Sequence, residues 1–273
     1  KNIIIIQNNI DLVKPEAALK NYQEIKAYLK GTPFENAPII PLSAKHNVNI
    51  DVLLEHILTH LTLLSRDATK EPLLFVARSF DINKPGSDPQ KLVGGVLGGA
   101  LSQGILNQGE IIEIRPGRKI EKENKVVYEP LIATLIALKT GGISVTAIHP
   151  GGSVGLMTSL DPSIVKSDAL SGNVVGRPGK MPPIFYDVTL DVKLLKRVVG
   201  AKTAEEVEPL RMGESLMLNV NAAATVGVIT ELSKNKCVCK LKIPVCAELG
   251  QRITISRRIS NRFRLIGYGI IKS

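Results

Sequence analysis

The sequence predicts a mainly β chain with a partial α/β domain at its start, followed by two β barrels. Three observations predict it. The first 66 residues alternate apolar strand and amphipathic helix, the pattern of a parallel sheet covered by helices. After Pro72 the strands are short and Gly, Pro and Asn turns are frequent, the texture of all-β barrels or sandwiches. The apolar 44% of the 273 residues is drawn from Ile, Val, Leu and Ala, with 4% aromatics and no Trp, and β-branched residues favour strands.

The elements follow in order. Residues 3–7 form a short continuous apolar strand. Pro15 suits a first helical turn, and residues 17–29 read as an amphipathic helix with Ala18, Tyr22, Ile25 and Leu29 on one face. Gly31-Thr32-Pro33 ends it. Residues 37–44 form a second buried strand with Pro at its edges. Residues 50–64 form a second helix carrying Val52, Leu53, His56, Ile57, His60 and Leu61. Two strands are too few for a stable sheet. The chain is therefore expected to begin partway through a domain, and its opening on Lys1 rather than Met points to a fragment. Residues 65–71 read as a polar linker. A first β unit spans 72–178 and a second spans 179–273, with a short helical turn expected within 192–206.

The net charge is +10 and unevenly placed. Residues 181–273 hold 15 Lys/Arg against 8 Asp/Glu. From Arg252 onward six basic residues (Arg252, Arg257, Arg258, Arg262, Arg264, Lys272) meet no acidic one. Such a cluster suits a polyanion such as RNA, or is a solvated basic face. No apolar run approaches the ~20 residues that span a bilayer, so no membrane is expected. Cys237, Cys239 and Cys246 lack the double Cys-x-x-Cys spacing of a zinc ribbon. They read as buried thiols in a reducing compartment, and the expected location is cytoplasmic.

Two motifs carry chemistry. Asn8 and Asp11 follow the first strand as Asn-x-x-Asp. A carboxylate there can accept both N1–H and the exocyclic amine of guanine, a donor pair adenine lacks, and many GTPases read guanine this way. Turn chemistry alone also favours Asn and Asp at such a position. Ser43-Ala44-Lys45 follows the next strand, where backbone N–H groups can reach guanine O6 and Lys45 can cover the ring. Both motifs stand at strand C-terminal ends, where open α/β sheets bind ligands. In the usual pattern Asn9 is a Lys that packs over the ring, and that support is missing. The sequence has no Gly-x-x-x-x-Gly-Lys-Ser/Thr loop and no Asp followed three residues later by Gly. These 273 residues alone are therefore not expected to hydrolyse GTP. No catalytic residue is assigned. His56 and His60 stand i, i+4 on a helix, and packing or a half-exposed face is the preferred reading over a metal site.

The block Arg78-Ser-Phe-Asp-Ile-Asn-Lys-Pro-Gly86, then Gly94-Gly95-Val-Leu-Gly98-Gly99, resembles the gamma subunit of eukaryotic and archaeal translation initiation factor two. Pro150-Gly-Gly152, Leu160-Asp-Pro162, Ser256-Arg-Arg258 and Phe263-Arg-Leu-Ile-Gly267-Tyr-Gly269 extend the resemblance over essentially the whole chain. Overall texture favours the eukaryotic form. The resemblance implies the C-terminal piece of a P-loop GTPase domain (1–66) followed by two β barrels. It implies that the complete protein, with GTP and Mg²⁺, carries initiator methionyl-tRNA to the small ribosomal subunit, as a heterotrimer with alpha and beta subunits. The residues matching the tRNA-end wall are Phe80 and Lys84, with Lys139 a further expected basic contact. The bland reading packs Phe80 inside a barrel and leaves Lys84 in a solvated turn. Gly94, Gly95, Gly98 and Gly99 read as structural or as points of close approach. Phe263 and Tyr268 stand where the family pattern has Trp, and are expected to keep its packing role. The competing reading is a nucleotide-independent scaffold that docks partner subunits or RNA.

Overall fold

The computed structural model describes residues 3–62, 65–123, 125–199, 206–233 and 236–273. It divides into two compact units, residues 1–65 and 66–273.

In the first unit β1 (Ile5–Gln7) and β2 (Ile39–Pro41) pair in parallel, with Ile5 opposite Ile39 and Gln7 opposite Pro41. The helices are α1 (Pro15–Leu29) and α2 (Ile50–His60). Pro15 opens α1, where a missing N–H costs nothing. Leu29 is buried and Ala18, Tyr22 and Ile25 are half-buried, so the helix covers the sheet with the face expected from the sequence. Gln7 is buried, and its Nε2 donates to Ala18 O at 2.8 Å and to Asn21 Oδ1 at 3.0 Å. That pair ties the end of β1 to α1. Helix α2 ends at His60 because Leu61 turns extended. The expected continuation reaches residues 63–64, outside the described residues.

The second unit contains two closed barrels. The first uses β3 (Leu73–Phe80), β4 (Val96–Gln103), β6 (Ile111–Lys122), β7 (Lys125–Thr140), β10 (Val154–Thr158) and β11 (Val174–Gly176). Short strands β5 (Leu106–Asn107), β8 (Ile143–Val145) and β9 (Ala147–Ile148) flank it. The ring runs β10–β4–β3–β11–β6–β7 and closes by β7 on β10. The second barrel is β12 (Ile184–Leu194), β15 (Lys236–Cys246), β14 (Ala223–Leu232), β13 (Ser215–Val220), β16 (Arg252–Ile259) and β17 (Arg262–Ile271), closed by β12 on β17. Closure removes edge strands. Six strands enclose only enough space for side chains, so each interior is a packed core. Leu74, Leu97, Ile112, Ile114, Leu135 and Leu156 fill the first. Leu190, Leu216, Leu218, Cys239, Ile253 and Ile255 fill the second. The helical turn expected within 192–206 falls partly on residues 200–205, outside the described residues.

The barrels meet through Glu113 and Arg115. Arg115 Nε donates to Glu113 at 2.7 Å, and its Nη1 reaches Pro182 O at 3.1 Å. Gly179 N donates to the other Glu113 oxygen at 3.1 Å. Beside them Cys246 Sγ donates to Pro182 O, and burial pushes its thiol up to about 12. All three cysteines are free and buried.

The C-terminal arginines divide by role. Arg257 pairs with Glu214, both side chains 16% exposed, and donates to Glu208 O at 2.9 Å and Pro209 O at 3.0 Å. It clamps the segment before β13 onto β16. Arg257→Ala is expected to cost about 2 kcal/mol, because a half-covered carboxylate loses its partner. Arg257→Lys should recover only part, since an ammonium cannot make the same fork. Urea unfolding midpoints check both; an unchanged midpoint for Arg257→Ala would refute the clamp. Arg252 stacks 3.6 Å from the centre of the Tyr268 ring. Phe263 does not take the packing role expected of it. It is 44% exposed, opposite Arg258 near the tip of the β16–β17 hairpin.

Candidate functional site

In the first unit the two strand-end motifs expected from the sequence to read guanine meet. Asn8 Oδ1 accepts from Asn9 N at 2.8 Å and from Ala44 N at 3.2 Å, so one amide oxygen links both loops. Asp11 lies in a 3-10 turn, Ile10–Leu12, with its side chain 19% exposed. A hydrogen bond from the Ser43 hydroxyl, foremost, holds its carboxyl below the usual value of 3.8. Ser43 is buried, and its backbone exchanges both hydrogen bonds with Val48. Ala44 and Lys45 are exposed beside it. His46, which sequence reasoning missed, places Nε2 3.6 Å from Asp11 Oδ2. Asn9 has φ 65 and ψ 33, a left-handed conformation that Asn adopts at lower cost than most residues. That accounts for Asn at this position in backbone terms.

In the first barrel Phe80 and Lys84 line one surface cavity of about 670 Å³. Its walls come from the loop after β3 and from α3 (Pro162–Val165) with the residues around it. Phe80 faces outward because β3 carries a bulge. Val76 is opposite Gly99 but Arg78 is opposite Gly98, so Ala77 is an extra residue. Strict alternation from Leu74 and Val76 would have turned Phe80 into the core. The bulge buries Ser79 instead and leaves Phe80 40% exposed, its ring lying over Gly98. The loop bearing Lys84 is closed by Asn83, whose amide accepts from Val93 N and donates to Val93 O, each at 2.9 Å. Asp161 caps α3 through Ser163 N at 2.8 Å. Lys139 lies elsewhere: it is exposed on β7 opposite Gly155 and does not line the cavity. It shares the outer row Arg78–Gly98–Gly155–Lys139 across four strands. Lys166, Asp81 and Asp161 also line the cavity, and no local signal marked Lys166.

The His56 and His60 rings meet edge to face, with centroids 5.0 Å apart. Among the described residues no group of three or more His, Cys, Asp or Glu could hold a metal. Among them, too, no helix is long and apolar enough to cross a membrane.

The family described as "Initiation factor eIF2 gamma, C terminal" matches residues 186–271. Translation initiation factor 2 subunit gamma of Pyrococcus furiosus is 53% identical over 272 residues, covering 100% of this chain and 66% of the relative. The Methanocaldococcus jannaschii protein of that name is 52% identical over 270 residues, covering 99% and 66%. That of Methanothermobacter thermautotrophicus is 50% identical over 272 residues, covering 100% and 67%. The chain thus spans about two thirds of the length of the curated relatives it matches. These three relatives are archaeal and lend no support to the eukaryotic preference. Translation elongation factor SelB of Methanococcus maripaludis, solved with a GTP analogue, superposes over 100% of this chain and 59% of its own with TM-score 0.76. At 19% identity that likeness shows the fold alone: a partial α/β unit ahead of two barrels. With half its residues shared along its entire length, the chain belongs to the gamma-subunit family of translation initiation factor 2.

Proposed function

We propose that this chain supplies the guanine end and both barrels of a factor that, with GTP bound, carries initiator methionyl-tRNA to the small ribosomal subunit in the cytoplasm. Residues 1–66 act as the end of its GTPase domain, 72–178 and 179–273 as its two barrel domains. The observation that carries the reading is the convergence of Phe80 and Lys84 on one cavity, an aromatic face and a cation together. Exposed aromatics stack unpaired bases, and lysines meet phosphate. The guanine ring fits Asn8, Asp11, Ser43, Ala44 and Lys45. Nothing in these residues fits the phosphates or Mg²⁺, since no phosphate loop is present in the sequence. Arg258, Arg262 and Arg264, grouped with Phe263 on one hairpin, offer a further surface for RNA backbone.

One observation favours the scaffold function alongside it. Ile111, Ile132 and Ile136 expose 57%, 58% and 47% on the outer wall of β6 and β7. Ile111 is opposite Thr134, midway between the other two, so the three form one apolar patch. Such a patch suits a protein partner, and the alpha and beta subunits are the proposed ones.

The test compares initiator and elongator methionyl-tRNA binding by the full-length protein with and without GTP. Initiator is expected to bind more tightly, and only with GTP; Asp11→Ala should abolish the GTP dependence. Equal affinity for the two tRNAs would replace this reading with that of an elongation factor. Binding indifferent to GTP would leave the scaffold.

A further inference from the structure

We propose that Lys166 is a second RNA-phosphate contact, set across the cavity from Lys84 and preset by Asp81. The proposal rests on the reading that Phe80 and Lys84 receive the tRNA end. Lys84 comes from the loop after β3, and Lys166 comes from the turn after α3 on the other wall. Asp81 ties the two walls together. Its carboxylate accepts Asn83 N at 2.8 Å and Asn83 Nδ2 at 2.7 Å, and lies 3.7 Å from Lys166 Nζ. The first wall is thereby braced by the same group that holds the second lysine.

The backbone that presents Lys166 is fixed at a conformational cost. Ser167 (φ 55) and Asp168 (φ 59) are consecutive left-handed residues, and neither is glycine. Such strain persists only where surrounding contacts over-determine it. Here Arg78 Nε donates to both Asp168 oxygens at 2.9 and 3.0 Å, and Ser79 N donates to the same carboxylate at 3.0 Å. The buried Ser79 hydroxyl adds a bond to Val165 O and accepts from Leu170 N. By contrast the Lys166 side chain is 62% exposed, and its long ion pair is weak in water. The main chain is pinned while the ammonium stays free to exchange a carboxylate for a phosphate. The two acids on the cavity wall are each held ionised by local donors, Asp81 by Asn83 and Asp161 by Ser163 N, so their charge opposes a phosphate and the lysines must outweigh it.

The experiment measures labelled initiator methionyl-tRNA binding to the full-length protein across a salt series, with thermal unfolding as a folding control. Each phosphate contact to single-stranded RNA contributes about 0.7 to the slope of log affinity against log salt. Lys166→Ala and Lys84→Ala are each expected to reduce the slope by about 0.7, and the double variant by about 1.4. Lys166→Arg should keep the slope, and Asp81→Asn should bind more tightly at low salt. If Phe80→Ala and Lys84→Ala weaken binding but Lys166→Ala leaves the slope unchanged, the Lys166 proposal fails and the RNA reading stands. If Phe80→Ala and Lys84→Ala have no effect, both fail. A slope change at Lys166 without one at Lys84 refutes the two-sided clamp.

Discussion

Phe80→Ala combined with Lys84→Ala is expected to weaken initiator methionyl-tRNA binding to the full-length protein by at least about 5- to 150-fold. Stacking of a base on an aromatic side chain is worth about 1–3 kcal/mol, and each 1.4 kcal/mol is tenfold in affinity. Loss of the lysine adds a salt-dependent part. The fold should barely notice. Phe80 is 40% exposed beyond the Ala77 bulge and fills no core, and Lys84 is exposed in a loop. That separation makes the test decisive, because a binding loss cannot be blamed on unfolding if the melting temperature holds. Phe80→Leu should fall between wild type and Ala, keeping apolar area but not a flat face. Unchanged affinity in the double variant would remove the cavity from the tRNA site.

What the sequence made legible was local. Strand–helix–strand–helix, the burial of Leu29 and its face, and the placing of Asn8, Asp11 and Ser43-Ala44-Lys45 after two strands depend on residues close in sequence. The Asn8–Ala44 hydrogen bond follows once two adjacent parallel strands end side by side. What the sequence hid was long-range or one residue out of step. Strand β3 pairs with β11, about a hundred residues away, and no local pattern announces such a partner. Lys166 reaches the Lys84 cavity because the segment between β10 and β11 is bonded onto β3, about ninety residues away. The fates of Phe80 and Phe263 turn on bulges. Ala77 flips Phe80 outward, and a register shift at Ile255 and Ser256 makes Ile266 the extra residue of β17. Ile266 and Gly267 are then both buried, so the alternation reverses and Phe263 is left outside. A bulge has no reliable signature in a single sequence, yet it decides which aromatic is core and which is surface.

Gly94→Ala should destabilise the first barrel by about 3–5 kcal/mol, while Gly155→Ala should be neutral or stabilise it by up to about 1 kcal/mol. Both glycines lie outside the left-handed region, so neither is required by backbone conformation. The difference is space. A Cβ at Gly94 would sit 1.7 Å from Thr158 O, a backbone atom. Thr158 cannot yield cheaply: it is fully buried, and its N and Oγ1 both donate to Gly95 O, at 2.9 and 2.8 Å. Gly95 and Gly99 are similarly enclosed, by the Val165 side chain and by Phe75 O at 2.1 Å. Of the four glycines in that motif only Gly98 has ordinary room, and Gly155 opposite it meets nothing within 4 Å. Urea unfolding of the two alanine variants reads the contrast directly. Midpoints within error of each other would mean that the β4–β10 seam is looser than its contacts imply. The expected gap instead assigns Gly94 to the fold and leaves Gly98 and Gly155 as bare outer backbone beside Phe80, where a glycine costs stability that nothing inside the barrel recovers.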